Sequence, residues 1–381
     1  MKMFLNLLVQ KKMNKGKIKI LMSGGGTGGH IFPAIAIADA LKKKLKNVEI
    51  LFVGAKGRME MEKVPQSGYE IEGLWISGFQ RKLDKRNLSF PFKLISSLLG
   101  ASRIIKNFKP DIAIGTGGYA SGPLLYMASR KKVPTLILEQ NSYPGITNKL
   151  LGKTVDKVCV AYPGMEKYFL KEKIIITGSP IRELITNNKV IKSEACKFFN
   201  LHENKAVLLI IGGSQGALGI NKAVTANLKK ICSLGLQILW QTGRSSIDDA
   251  LKSVEENNLK GEVVVKEFIS RMDMAYSASN IVISRAGAIA LAEIVAVEKP
   301  TIFIPLPSAA EDHQTKNAMT LVDAQAAILV EEKNAMEELS VAVGQLMSDK
   351  KITKQIIENI KKFKTPHATS SIVEEAIKLM S

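Results

Sequence analysis

Short apolar runs alternate with longer amphipathic stretches along the whole chain. The runs Ile18–Met22, Glu49–Val53, Ile112–Gly115, Thr135–Glu139 and Lys157–Val160 are rich in Ile, Val and Leu. Between them, apolar residues recur at helical spacing over about 33–45, 92–107 and 120–131. Runs apolar on both faces, separated by helices, predict a parallel sheet covered on each side. The second half repeats the plan. Val207–Ile211 reads as a strand, Gly212-Gly213-Ser214-Gln215-Gly216 as a loop, and Ala217–Ser233 as a helix. Further strands are expected at Gln237–Gln241, Val263–Lys266, Asn280–Ile283, Thr301–Ile304 and Ala327–Val330.

Each half opens with strand, glycine loop and helix. The expected fold is therefore α/β: two doubly wound Rossmann-like domains facing across a deep cleft, with ligands outside the carboxyl ends of the strands. Turn formers after Gly178-Ser179-Pro180-Ile181-Arg182 suit a boundary. The expected division is a basic N-terminal extension at 1–16, domains at 17–180 and 181–365, and a C-terminal segment at 366–381 that packs back on the first domain. Ile372–Met380 within it reads as an amphipathic helix.

The most informative segment is Ser23-Gly24-Gly25-Gly26-Thr27-Gly28-Gly29-His30. Its glycines let main-chain N–H groups approach a ligand closely, and the helix start adds unpaired donors and a positive dipole end. No Gly-Lys-Ser/Thr ending follows, so it is not a P-loop. His30 can move a proton near neutral pH. Gly115-Thr116-Gly117-Gly118-Tyr119 and Glu139-Gln140-Asn141 also end strands of the first half, which brings His30, Tyr119, Glu139 and Asn141 towards one edge of the sheet. In the second half, Ser284-Arg285-Ala286-Gly287-Ala288 opens the helix carrying Glu293, a carboxylate suited to ribose hydroxyls or to a helix start. No Asp-x-Asp pair and no metal-ligand spacing occurs, so no metal and no cofactor is expected. A diphosphate leaving group would be stabilised by helix starts and a cation such as Arg182.

Charge adds one constraint. The net charge is +19, which favours anionic partners. The lysines are scattered, which argues against a nucleic-acid-binding face. The three cysteines, Cys159, Cys196 and Cys232, lie far apart, as in a reduced compartment. A dehydrogenase reading fits Gly24, Gly26 and Gly29, but Glu49 is a poor ribose partner and the second half stays unexplained.

These motifs, together with His313-Gln314-Thr315-Lys316-Asn317-Ala318, resemble over nearly the full length the bacterial peptidoglycan glycosyltransferases of family 28, which have the GT-B fold. The resemblance implies an inverting, metal-independent transfer of N-acetylglucosamine from UDP-N-acetylglucosamine to the C4 hydroxyl of undecaprenyl-diphospho-N-acetylmuramoyl-pentapeptide, converting lipid I to lipid II. The alternative within the same fold is a glycolipid synthase such as a diacylglycerol glycosyltransferase. By resemblance, Arg182, Ser214, Ile269, Ala288, Ile289, Ala290, Leu291, Ala292, Glu293 and Gln314 hold the UDP-sugar, the backbone of Ile269 reading uracil. Thr27, Gly28, Gly29 and Asn141 complete the donor site; Gly26 and Tyr119 serve the acceptor. His30 is the first choice for general base and Glu139 the second. Many members have Gln-Gln where this chain has His313-Gln314, so His313 receives no role.

A lipid-linked acceptor requires the membrane. The stretch Phe79–Ile95 mixes basic and apolar residues, and Leu88, Phe90, Phe92 and Leu94 are the expected contacts with anionic membrane lipids. The implied location is the cytoplasmic face of the cell membrane, peripheral, with other cell-wall synthesis proteins as further partners.

Overall fold

The computed structural model describes residues 17–78, 89–186, 188–213 and 216–381. The expected extension at 1–16, Leu88 and Ser214 lie outside the described residues. The described chain forms two compact units. The first runs to Ile181 and includes His367–Ser381, and the second is Arg182–Pro366.

The first unit is built on seven strands: β1 (Ile18–Gly24), β2 (Val48–Ala55), β3 (Glu70–Leu74), β4 (Ile112–Gly117), β5 (Thr135–Glu139), β6 (Lys157–Val160) and β7 (Ile174–Ile176). All pair in parallel, in the order β3-β2-β1-β4-β5-β6-β7. Helices α1 (Gly28–Lys44), α2 (Glu60–Gln66), α3 (Phe90–Phe108), α4 (Ser121–Arg130) and α5 (Ile146–Leu151) connect them. Alternation along each strand feeds two cores. Ile18, Ile20 and Met22 of β1 join Ile112 and Ile114 of β4 in one, while Leu21 and Ala113 enter the other. That is why these runs read as apolar throughout.

The edge strands β3 and β7 were not anticipated. Residues of β3 alternate with solvent and include Glu70 and Glu72, charges that blunt an edge. Helix α1 also starts earlier than expected, at Gly28, which puts His30 in its first turn and Pro33 inside it. Proline has no N–H for the carbonyl four residues back. That carbonyl, Gly29 O, instead accepts the side-chain amide of Gln140 at 2.9 Å.

The second unit repeats the layout in six parallel strands: β8 (Ala206–Ile211), β9 (Leu236–Gln241), β10 (Val263–Lys266), β11 (Ile281–Ser284), β12 (Thr301–Phe303) and β13 (Ile328–Leu329). Their order is β10-β9-β8-β11-β12-β13. The helices that matter for the site are α6 (Leu218–Cys232), α7 (Ala288–Val297) and α8 (His313–Val322). The last helix, α9 (Ala368–Met380), belongs to the first unit, where Ile372, Val373, Ala376, Ile377 and Met380 enter the core beneath α1.

Ile372 is fully buried there. Ile372→Ala is expected to cost about 2–5 kcal/mol. Amide exchange in β1 should speed up by that free energy while β8 is unaffected. Unchanged protection in β1 would show that α9 adds nothing to the first core.

Candidate active site

In both sheets the strand order reverses once, between β1 and β4 and between β8 and β11. Doubly wound domains bind ligands outside the strand ends at that reversal. In the first unit the register slips there: Ser23 pairs with Gly115 but Gly24 with Gly117. The slip lets two glycine loops touch. Gly25 N–H donates to Gly117 O at 3.1 Å, and Ser121 Oγ donates towards Gly117 O and the Ser23 carbonyl. Thr116 Oγ1 donates to His30 O at 2.6 Å, tying α1 to the same strand end. Gly118 has φ of 97°, and a Cβ there would fall 2.4 Å from Gly25 O. Only glycine meets both conditions.

His30 is half-buried, and its Nδ1 lies 3.0 Å from Gly25 O. A carbonyl only accepts, so Nδ1 carries the proton and Nε2 keeps its lone pair. Gly117 lies beside that nitrogen: a Cβ there would sit 2.8 Å from Nε2. Among the described residues, the N–H groups of Thr27, Gly28 and Gly29 at the start of α1 donate to nothing. Three unpaired donors at the positive end of a 17-residue helix suit an anion. The ring of Tyr119 packs on Gly78 and lies 4.0 Å from where a Cβ of Gly26 would be.

Glu139 is only 3% exposed, and four donors fill its carboxylate. Oε1 accepts Asn141 N–H and Nδ2, both at 3.0 Å. Oε2 accepts Gly145 N–H at 3.1 Å and Asn148 Nδ2 at 2.9 Å. Such a carboxylate organises its own loop. Its lone pairs are committed to these four donors.

In the second unit Arg182 and Glu293 face each other. Arg182 Nε donates to Glu293 Oε1 at 2.8 Å and Nη2 to Oε2 at 3.1 Å, and Tyr276 OH adds a bond at 3.2 Å. Burial pushes the Glu293 carboxyl above its ordinary range, against the pull of Arg182 and Tyr276. The Tyr276 phenol rises too, through burial and then the Glu293 charge. Ile269 N–H donates to Gln241 Oε1 at 2.8 Å, and Gln241 Nε2 donates to Gly213 O at 2.8 Å. One amide therefore joins the glycine loop to the segment expected to read a base, and among the described residues the main-chain group Ile269 has left is its carbonyl. Ala288, Ile289 and Ala290 open α7 half-buried, with Ala292 half-buried one turn on. The Leu291 side chain is core and its N–H is bonded to Gly287 O. Gln314 Oε1 accepts Leu306 N–H at 3.0 Å at the start of α8.

Sequence reasoning missed several supporting groups. Arg285 donates to the carbonyls of Ile304 and Pro305 and pairs with Glu332, which holds the loop before α7 against the end of β12. Glu60 and Gln241 also escaped notice. For Gln241 and Arg285 the available signal was a polar side chain at or just beyond a strand end.

Phe90 is half-buried and packs partly against the core, while Phe92, Leu94, Ile95 and Leu99 are exposed on α3. Phe92, Ile95 and Leu99 are 70%, 58% and 67% exposed and recur at helical spacing. Lys93 and the half-exposed Trp75 lie beside them, with Lys93 Nζ 5.9 Å from the indole centroid. Among the described residues no helix is long and apolar enough to cross a membrane, and no cluster of three His, Cys, Asp or Glu could hold a metal ion.

Two Rossmann-like α/β domains of this kind define the GT-B class, and solved structures agree. Acinetobacter baumannii MurG superposes with a TM-score of 0.75 at 27% identity, covering 95% of this chain and 99% of that one. The calicheamicin glycosyltransferase CalG4 shares the fold at TM-score 0.67 and 13% identity, covering 95% and 98%. The glycosyltransferase family 28 N-terminal domain matches residues 20–160 and the family 28 C-terminal domain residues 207–372. The chain belongs to glycosyltransferase family 28. It is 48% identical over 96% of its length to a Christiangramia forsetii protein, of which 99% is covered, named UDP-N-acetylglucosamine--N-acetylmuramyl-(pentapeptide) pyrophosphoryl-undecaprenol N-acetylglucosamine transferase. A Porphyromonas gingivalis protein of the same name is 46% identical over 98% of each chain.

Contact between the glycine loops can be tested by contrast. Gly57 also has positive φ, at 70°, but open space around it. Gly57→Ala should cost about 1 kcal/mol of strain alone. Gly118→Ala adds the clash with Gly25 O and should cost at least about 3 kcal/mol. Equal costs in denaturant titrations would show that the loops are not locked together.

Proposed function

We propose that this chain transfers N-acetylglucosamine from UDP-N-acetylglucosamine to the C4 hydroxyl of undecaprenyl-diphospho-N-acetylmuramoyl-pentapeptide, with inversion at the anomeric carbon. The observation that carries this reading is the near-full-length identity to proteins named for that transfer. The site residues supply a chemistry consistent with it.

Inversion takes one displacement. The acceptor oxygen bonds to the anomeric carbon as the bond from that carbon to the UDP oxygen breaks, its electron pair leaving on the diphosphate. The acceptor proton passes to Nε2 of His30, the nitrogen whose lone pair the Gly25 carbonyl contact leaves open. Glu139 holds Asn141 and its loop in place. Gly26 and Tyr119 lie beside His30's loop and are assigned to the acceptor, and the N–H groups of Thr27, Gly28 and Gly29 to phosphate. In the second unit the Ile269 carbonyl suits the N3–H of uracil. Glu293 is assigned to ribose. Arg182, aligned by Glu293, keeps Nη1 for the diphosphate, where a cation stabilises the charge that develops on leaving. The N–H groups opening α7 and the amide of Gln314 complete the donor contacts.

A lipid-linked acceptor also explains the apolar face of α3. With Lys93 and the chain's excess of lysine and arginine, it suits peripheral binding to the anionic cytoplasmic leaflet.

The direct test is transfer of labelled N-acetylglucosamine from UDP to a short-chain lipid I analogue with chelator present. Lipid II product is expected; UDP binding without product would move the acceptor assignment elsewhere in the fold class. For the membrane, replacing Phe92, Ile95 and Leu99 together by serine should cut partition onto anionic vesicles at least about tenfold, with turnover of a short-chain soluble acceptor retained. Unchanged vesicle binding would refute the role of this face.

A further inference from the structure

We propose that Glu60 is a positioning residue that acts on His30 through the single peptide joining Gly25 to Gly26. Glu60 opens α2 and is 1% exposed. Its Oε2 accepts Gly26 N–H at 2.8 Å, and its Oε1 accepts Ala55 N–H at 3.0 Å. The carbonyl at the other end of that same peptide, Gly25 O, accepts Nδ1–H of His30 at 3.0 Å. The three groups form one line: carboxylate, peptide, imidazole.

A peptide is a rigid conjugated plane. A carboxylate on its N–H draws the proton side towards itself and makes the carbonyl at the far end a better acceptor, since hydrogen bonds in series polarise one another. The carbonyl then fixes which ring nitrogen carries the proton, holds the ring's direction, and stabilises the cation that forms when Nε2 takes up a proton. In hydrolytic triads a carboxylate does this to a histidine directly. Here one peptide stands between them, which keeps the negative side chain off the helix start where an anionic substrate group would bind. The packing leaves the peptide no latitude. A Cβ on Gly25 would fall 2.2 Å from Glu60 Oε1, and Gly118 closes over Gly25 from the other side.

The inference rests on His30 as the base, and the two can fail separately. The test is nitrogen-15 NMR of the His30 ring in the full-length protein, with steady-state transfer kinetics, for the unaltered chain, Glu60→Gln and His30→Ala. Glutamine keeps the shape but loses the charge, and can accept through only one oxygen. The unaltered ring should be in the Nδ1–H form. In folded Glu60→Gln the ring should shift to a mixture of the two neutral forms, kcat should fall about tenfold, and KM for UDP-N-acetylglucosamine should stay within about twofold. Unchanged tautomer and kcat in Glu60→Gln would overturn the relay while leaving His30 as base. Full activity in His30→Ala would remove the base, and the ring spectrum would still decide whether Glu60 orients it. Should Glu60→Gln not fold, the unaltered protein suffices: an Nε2–H ring, or a Gly26 amide resonance that stays put while the ring takes up a proton, overturns the proposal.

Discussion

The first unit's site depends on one main-chain contact, the bond from Gly25 N–H to Gly117 O where the sheet reverses direction. It needs two chains closer than side chains allow, which is why glycine stands at Gly25, Gly117 and Gly118. Once the loops meet, Ser121 and Thr116 tie them to β1 and α1, Gln140 caps the carbonyl that Pro33 orphans, and the Gly25 carbonyl meets the His30 ring. Each bond satisfies a polar group that burial would otherwise penalise by about 1–3 kcal/mol. The outcome is a histidine with one nitrogen committed and one open.

The second unit solves a related problem with side chains. Gln241 spans the glycine loop and the Ile269 segment, and Arg285 with Glu332 fixes the turn ahead of α7. Glu293 is buried, yet it takes three donors, two of them from the one arginine. Such a carboxylate is kept in place by charge-assisted bonds rather than by solvent. A half-exposed guanidinium held by a buried carboxylate is directed without being consumed, a useful state for a group assigned to a diphosphate.

Much of this was legible in the sequence because the physics is local. Strands buried on both faces carry continuous apolar runs, so β1, β4 and β5 stand out, as do β8 and β9. The glycine loops announce close approach, and their positions at strand ends place them on one edge. Edge strands β3 and β7 escaped because charge and short length hide their period. The start of α1 was misplaced because glycine and Pro33 speak against helix, and the compensation by Gln140 comes from more than a hundred residues away. The roles of Glu60, Gln241 and Arg285 were hidden for the same reason, Arg285 even within a quoted motif: each is an ordinary polar residue whose role exists only once distant segments are adjacent. Leu291 is buried and Phe90 is half-buried against the core, details of orientation that motif matching does not specify.

In the transfer proposed here the loop contact presents His30 Nε2 as the base. Single-turnover transfer by His30→Ala, with UDP binding measured on the same sample, tests it most directly. Donor binding should stay at the unaltered level while the transfer step slows at least about a hundredfold. A transfer step at the unaltered rate would contradict it.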